Sequence, residues 1–170
     1  MIILGLGSNL ASSFGDRFKN IELAISTLNH KGVLINKKSS FYETPSYPDK
    51  NNPKFINIVV EVKTEFSPMD LASVLISIEE SLERRRKLKN DPRTCDIDII
   101  DFQNKVMSFK LKNLTFKVPH ENLTFRNFVL YPLREINPKW KHPKSGKLIS
   151  ELIDELPLED KKSILKLQNT

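Results

Sequence analysis

FINIVVEV, residues 55–62, decides how the rest of the chain is read. Ile56, Ile58, Val60 and Val62 share one face of an extended segment, and Phe55, Asn57, Val59 and Glu61 share the other. A period of two excludes a helix here, and Phe55 and Asn57 point the same way, so that face is not a uniform core. Upstream, Ile2-Ile3-Leu4 reads as a short strand giving way to a glycine turn at Gly5-Leu6-Gly7. Phe18, Ile21, Ile25 and Leu28 then recur at helical spacing until Gly32. Val33 to Glu43 reads as extended, and TPSYPDKNNP, residues 44–53, as an irregular loop.

Downstream, Ser67-Pro68-Met69-Asp70 combines a capping side chain, proline at the first helical position and an acid in the first turn. Leu71, Val74, Leu75, Ile78 and Leu82 continue as a helical stripe. This helix is expected to run into Glu83-Arg84-Arg85-Arg86-Lys87, where cations suit the helix dipole. The polar loop KLKNDP, residues 87–92, leads to a strand ending near Phe102. Val106 to Val118 reads as further strands. Asn122 is the expected cap of a short helix carrying Phe125 to Leu130 and broken at Pro132. Trp140 and Leu148 to Leu156 read as surface cover and a terminal helix. The order β-α-β-β-α-β calls for a mostly antiparallel sheet with helices packed on it.

A chain of 170 residues is most simply one domain, residues 1–170, and 27 Lys+Arg against 21 Asp+Glu favour anionic partners without choosing among them. The lone Cys95 excludes an internal disulfide framework and a Cys-based zinc cluster, which points to a reducing, cytoplasmic setting. No apolar run approaches the roughly 20 residues of a membrane helix, and MIILGLGSNL carries neither a basic leader nor a cleavage signal. No G-x-x-x-x-G-K-[ST] is present. Gly5-Leu6-Gly7 is not a dinucleotide fingerprint, because Leu10 occupies the third glycine position.

DPRTCDIDIID, residues 91–101, places Asp96 and Asp98 on one face of a strand, roughly 7 Å apart, with Ile97 and Ile99 on the other. Unpaired like charges that close would raise one pKa or cost stability. Paired carboxylates are what Mg²⁺ accepts when substrate phosphates and water complete its octahedron. Arg93 lies just upstream and Arg84, Arg85 and Arg86 one loop earlier, where guanidinium groups bind phosphate by two hydrogen bonds each. Asp101 has the opposite parity and is read as a strand-end or solvent residue. Two other readings fit the composition: a different Mg²⁺-dependent nucleotide phosphotransferase, and an RNA-binding βαββαβ module. The second is disfavoured, since acids on the candidate strand repel phosphate unless a metal is bound.

GLGSNL (5–10), SFYETP (40–45), FIN (55–57), Ile78-Glu79 with Arg84-Arg85-Arg86, PRTCDID (92–98) and VPHENLTFRNF (118–128) together resemble the 6-hydroxymethyl-7,8-dihydropterin pyrophosphokinase family, in that family's order. The resemblance implies an α+β, ferredoxin-like α/β sandwich with a βαββαβ core, additional strands and C-terminal helices. It implies transfer of diphosphate from ATP to 6-hydroxymethyl-7,8-dihydropterin in folate synthesis. Asp96 and Asp98 would hold two Mg²⁺ ions, and Arg84 and Arg93 would be catalytic. Glu79, Arg84, Arg86, Arg93, His120 and Arg126 would bind ATP, and Thr44, Pro45, Phe55, Asn57 and Phe128 the pterin. ATP and a reduced pterin would be the partners of a monomer, with neither nucleic acid nor membrane involved. Three departures from the family pattern stand out. Glu83 replaces a glycine, Asp91 replaces a small residue, and the loop from Lys87 to Asp91 is one residue short. The two added acids are expected near the nucleotide.

Overall fold

The computed structural model describes residues 1–86 and 88–168, so Lys87, a member of the expected basic helix end, lies outside the described residues. Strand β1 (Ile2–Ser8) leads into helix α1 (Arg17–His30), followed by β2 (Leu34–Lys38), β3 (Tyr42–Thr44) and β4 (Phe55–Lys63). Helix α2 (Pro68–Ser81) leads to β5 (Asp96–Phe102), and β6 (Met107–Leu111) with β7 (Leu114–Val118) form a separate hairpin. Helices α3 (Asn127–Ile136), α4 (Ile149–Asp154) and α5 (Leu158–Ser163) and strand β8 (Leu165–Lys166) complete the chain. The main sheet runs β5-β1-β4-β3-β8, with β2 also paired to β4, and each pairing among the described strands is antiparallel.

The alternation of β4 is realised as read. Ile56, Ile58, Val60 and Val62 join Leu4, Leu6, Ile97 and Ile99 beneath α1 and α2, which bring Ile21, Leu28, Leu71, Leu75 and Ile78. Val59, on the opposite face, packs with Ile3 and Ile100 under Val129, Leu130 and Leu133 of α3 and under α4. The second cluster covers only part of its face. Beyond it, toward the Ser8 end of β1, lie glycines, polar groups and half-buried rings.

Four expectations are corrected. First, α2 ends at Ser81 and does not run into the arginines. Glu83 takes the left-handed conformation, φ +67°, with its N–H on the Glu80 carbonyl at 3.0 Å and the Arg84 N–H on the Glu79 carbonyl at 3.0 Å. This is the Schellman stop, a position that favours glycine. Second, Pro132 lies inside α3 without breaking it. Burial of Val129, Leu130 and Leu133, at about 1.5–3 kcal/mol each, outweighs the roughly 3 kcal/mol proline penalty. Asn122 heads a single 3-10 turn, Leu123–Phe125, and makes no side-chain cap. Third, Trp140 is core, 2% exposed, and its indole N–H donates to Asp101 Oδ2 at 2.8 Å. Fourth, Asp101 is fully buried. The β1/β5 register passes from Ile3↔Asp101 to Leu4↔Ile99, and the extra residue Ile100 alters the parity on which the solvent reading rested.

Candidate active site

The site is laid out by strand register. Asp96 faces Gly7, which faces Asn57, giving one row across β5, β1 and β4; Asp98, Gly5 and Val59 form the next. Gly5 and Gly7 therefore sit inside β1 and make no turn, which corrects the earlier expectation. Their role is a flat floor. A Cβ at Gly7 would lie 3.1 Å from Asn57 Oδ1 and 3.6 Å from Phe55 Cδ1. Gly7→Ala is accordingly expected to displace the Asn57 amide with the fold intact, and to weaken reduced-pterin binding severalfold if these residues form the pterin pocket that the resemblance implies. Titration of the variant checks this, and unchanged affinity would remove Gly7 and Asn57 from the pocket.

Each carboxylate of the pair is matched by arginine. Asp96 takes Arg93 Nη1 at 2.9 Å on one oxygen and Arg84 Nη1 at 3.5 Å on the other. Asp98 takes Arg126 Nη1 at 3.1 Å, with His120 Nε2 at 3.9 Å. Two of these arginines also cover aromatic rings: Arg93 lies 5.7 Å from the Phe55 centroid and Arg126 lies 5.4 Å from that of Phe128. The acids respond unequally. Burial pushes both up, but at Asp96 the charges of Arg84 and Arg93 prevail and hold the carboxyl below its usual range. At Asp98, burial and then the Asp96 charge prevail over His120 and Arg126, and the pKa is raised. Burial lowers the His120 pKa against the pull of Asp98. Its Nδ1 accepts from Asn122 N–H at 3.2 Å, so in the neutral ring Nε2 carries the proton on the side of Asp98.

Arg84 leaves the helix stop and turns back over β5, donating to the Cys95 carbonyl at 3.3 Å, while its buried Nε has no partner. Arg86 pairs with Glu79 and not with the aspartates. Glu79, 2% exposed, accepts from the Ile97 N–H at 2.7 Å, on the outer edge of β5 between the two acids. Burial, then the nearby Asp96 charge, push its pKa up to about 7 despite Arg86. Glu79 therefore borders the cavity beside the pair with both oxygens already engaged. The acids that depart from the family pattern are engaged within loops. Glu83 accepts from the Ser13 hydroxyl and backbone N–H, and Asp91 accepts from Leu88 N–H at 3.1 Å.

Beside the pair, a cavity of about 360 Å³ opens between α2, β5 and β7. Leu75, Ile76, Ile99 and Phe116 make its apolar walls, and Asp96, Asp98, Arg86 and His120 its polar end. Across the sheet, Thr44 faces Phe55 and Tyr42 faces Asn57 in the β3/β4 register, with Pro45 following. The Asn57 NH₂ donates to Thr44 Oγ1 at 3.0 Å, and its Oδ1 faces the open side of Gly7. Phe55 and Phe128 are both half-buried. The sites expected from sequence thus converge on one end of the sheet. Sequence reading missed two features: the apolar cavity walls, whose residues read as ordinary core, and Asn9. Asn9, in the GLGSNL stretch, is 2% exposed with three side-chain hydrogen bonds. A buried amide directly after a strand end was the available signal.

Residues 3–138 match the family described as 7,8-dihydro-6-hydroxymethylpterin-pyrophosphokinase (HPPK). The chain is 36% identical over 166 residues to the 2-amino-4-hydroxy-6-hydroxymethyldihydropteridine pyrophosphokinase of Aquifex aeolicus, covering 98% of each. It is 34% identical to the Synechocystis protein of the same name, covering 91% of this chain and 75% of that one. It is also 34% identical to the folic acid synthesis protein fol1 of Schizosaccharomyces pombe, of which it spans 20%. The fold is similar to the crystal structure of wild-type Plasmodium falciparum HPPK-DHPS, with a TM-score of 0.68 at 18% identity, over 91% of this chain and 44% of that one. The chain belongs to the 7,8-dihydro-6-hydroxymethylpterin-pyrophosphokinase family.

Proposed function

We propose that this chain transfers the β,γ-diphosphate of ATP to the hydroxymethyl oxygen of 6-hydroxymethyl-7,8-dihydropterin, giving AMP and the pterin diphosphate of folate synthesis. The observation that carries the reading is the row Asp96, Gly7, Asn57, which sets an arginine-matched carboxylate and a pterin-reading amide on either side of a side-chain-free floor.

The donor set suits a hard cation. Asp96 and Asp98 offer only carboxylate oxygens. Among the described residues no group of three or more His, Cys, Asp or Glu is placed to hold a metal ion, so further ligands are left to phosphate and water. The two aspartates would hold two Mg²⁺ ions, whose chemistry is to neutralise the triphosphate and lower the pKa of the attacking hydroxyl. The chain's own residues do the rest. Arg84 and Arg93, beside Asp96, supply positive charge where the transferring group develops negative charge. Arg126 and His120 flank Asp98 and bind further phosphate oxygens. The apolar walls of the cavity hold the adenine, with Arg86 and Glu79 at its polar end. Phe55 and Phe128 stack on the pterin faces, Asn57 reads its edge, and Thr44 and Pro45 close the pocket. We read residues 1–170 as one such domain, because both hydrophobic clusters share one sheet, and the single free, buried Cys95 fits a reducing, cytoplasmic setting. Among the described residues no helix is long and apolar enough to cross a membrane.

The test is AMP formation from ATP, with and without the hydroxymethyl pterin and Mg²⁺. Release that requires all three components is expected. AMP release indifferent to the pterin would overturn the acceptor assignment.

A further inference from the structure

We propose that Asn9 is a positioning residue that locks Arg93 to the neck of the loop bordering the pterin pocket, so that the two substrate sites are set as one unit. This rests on the pterin and triphosphate assignments above. Asn9 follows β1 directly. Its Oδ1 accepts from the Arg93 N–H at 2.7 Å, while its Nδ2 donates to Ser46 Oγ at 3.0 Å and to the Pro53 carbonyl at 3.0 Å. Ser46 Oγ in turn donates to the Pro53 carbonyl at 2.7 Å, closing the neck of the 44–53 loop. The N–H groups of Asn9 and Leu10 also donate to the Arg93 carbonyl, at 3.0 and 3.1 Å, so the Arg93 main chain is gripped on both sides.

The two ends of the neck are pocket residues or their neighbours. Thr44 and Pro45 immediately precede Ser46, and Phe55 lies two residues beyond Pro53. One planar group therefore bonds both to the segment bearing Arg93 and to the segment bearing Thr44, Pro45 and Phe55. The site needs a carboxamide, with one acceptor and two donors fixed in one plane. An aliphatic replacement strands the part-buried Arg93 N–H, and a carboxylate loses both donors. Seating Arg93 on a polyphosphate then restrains the pterin-side segment through this amide, and pterin binding restrains Arg93 in return. The coupling between two sites linked this way is about 5–150-fold in affinity.

The test is calorimetric binding of 6-hydroxymethyl-7,8-dihydropterin to the full chain, with and without a non-hydrolysable ATP analogue and Mg²⁺. The wild-type chain is expected to bind the pterin at least about tenfold tighter with the nucleotide present. In Asn9→Ala that ratio is expected to fall to about one, with pterin affinity in the absence of nucleotide within about threefold of wild type. A merely structural Asn9 would weaken both affinities by one factor and preserve the ratio, and that result overturns the inference. Should Asn9→Ala not fold, Ser46→Ala removes a single partner of the amide. Its ratio is expected to fall about threefold, and an unchanged ratio is equally fatal. A wild-type ratio near one overturns the coupling while leaving the pterin pocket standing. Wild-type protein that binds no pterin overturns the pocket assignment itself.

Discussion

Asp98→Asn is expected to lower AMP formation by on the order of 10³-fold while the chain stays folded. The reason lies in what the carboxylate does with and without substrate. Asp98 is held against burial and against the charge of Asp96, and its pKa is raised. Replacing it with a neutral isostere removes a repulsion along with its bond to Arg126, so stability is expected to change by no more than ~1 kcal/mol, or about 2–4 °C for a chain of this size. The catalytic loss is expected to be much larger, because half of the proposed metal-binding pair disappears and a carboxamide oxygen carries no charge to replace it. Steady-state rates over a range of Mg²⁺, beside thermal melts, separate the two effects. Near-wild-type AMP release at saturating Mg²⁺ would contradict the assignment.

Arg93→Ala is expected to cost about 10³-fold in turnover, the scale on which a guanidinium stabilises a transferring phosphoryl group. The main-chain ties of residue 93 to Asn9 and Leu10 do not involve the side chain, so the loop stays anchored. The arginine also covers one face of Phe55 at 5.7 Å. Its removal therefore alters pterin affinity only on the scale of an exposed cation–π contact, about 0.5–1 kcal/mol, or two- to fivefold. Asp96 keeps Arg84 as counterion at 3.5 Å. Single-turnover rates and pterin titration on the same protein give the comparison. Equal losses in rate and pterin affinity would make Arg93 a structural residue.

What could be read from the sequence followed from periodicity. The alternation at 55–62 fixes both faces of β4 because each face is buried against a different layer, and the same parity correctly places Asp96 and Asp98 together. The misreadings arose where a residue's conformation is set from elsewhere. Glu83 adopts a glycine-like backbone that its own identity does not announce, and the glycine that the family pattern has at this position is the one signal of a helix stop ahead of the arginines. Gly5 and Gly7 look like punctuation, but they extend a strand whose open face must admit a ligand beside Asn57. Asp101 and Trp140 find each other across 39 residues of sequence, which no local pattern encodes. Asn9 belongs with these. Its partners at Ser46, Pro53 and Arg93 come from two distant loops, and only the fold reveals that one amide serves all three.

The most direct measurement is a crystal grown with Mn²⁺ in place of Mg²⁺ and a non-hydrolysable ATP analogue, with anomalous scattering used to locate the metal. Two manganese peaks are expected within bonding distance of the Asp96 and Asp98 oxygens, with Arg93 and Arg126 shifted from those acids onto phosphate. Bound nucleotide with no peak at the pair, and the Arg93–Asp96 and Arg126–Asp98 contacts still closed, would refute the metal-pair account.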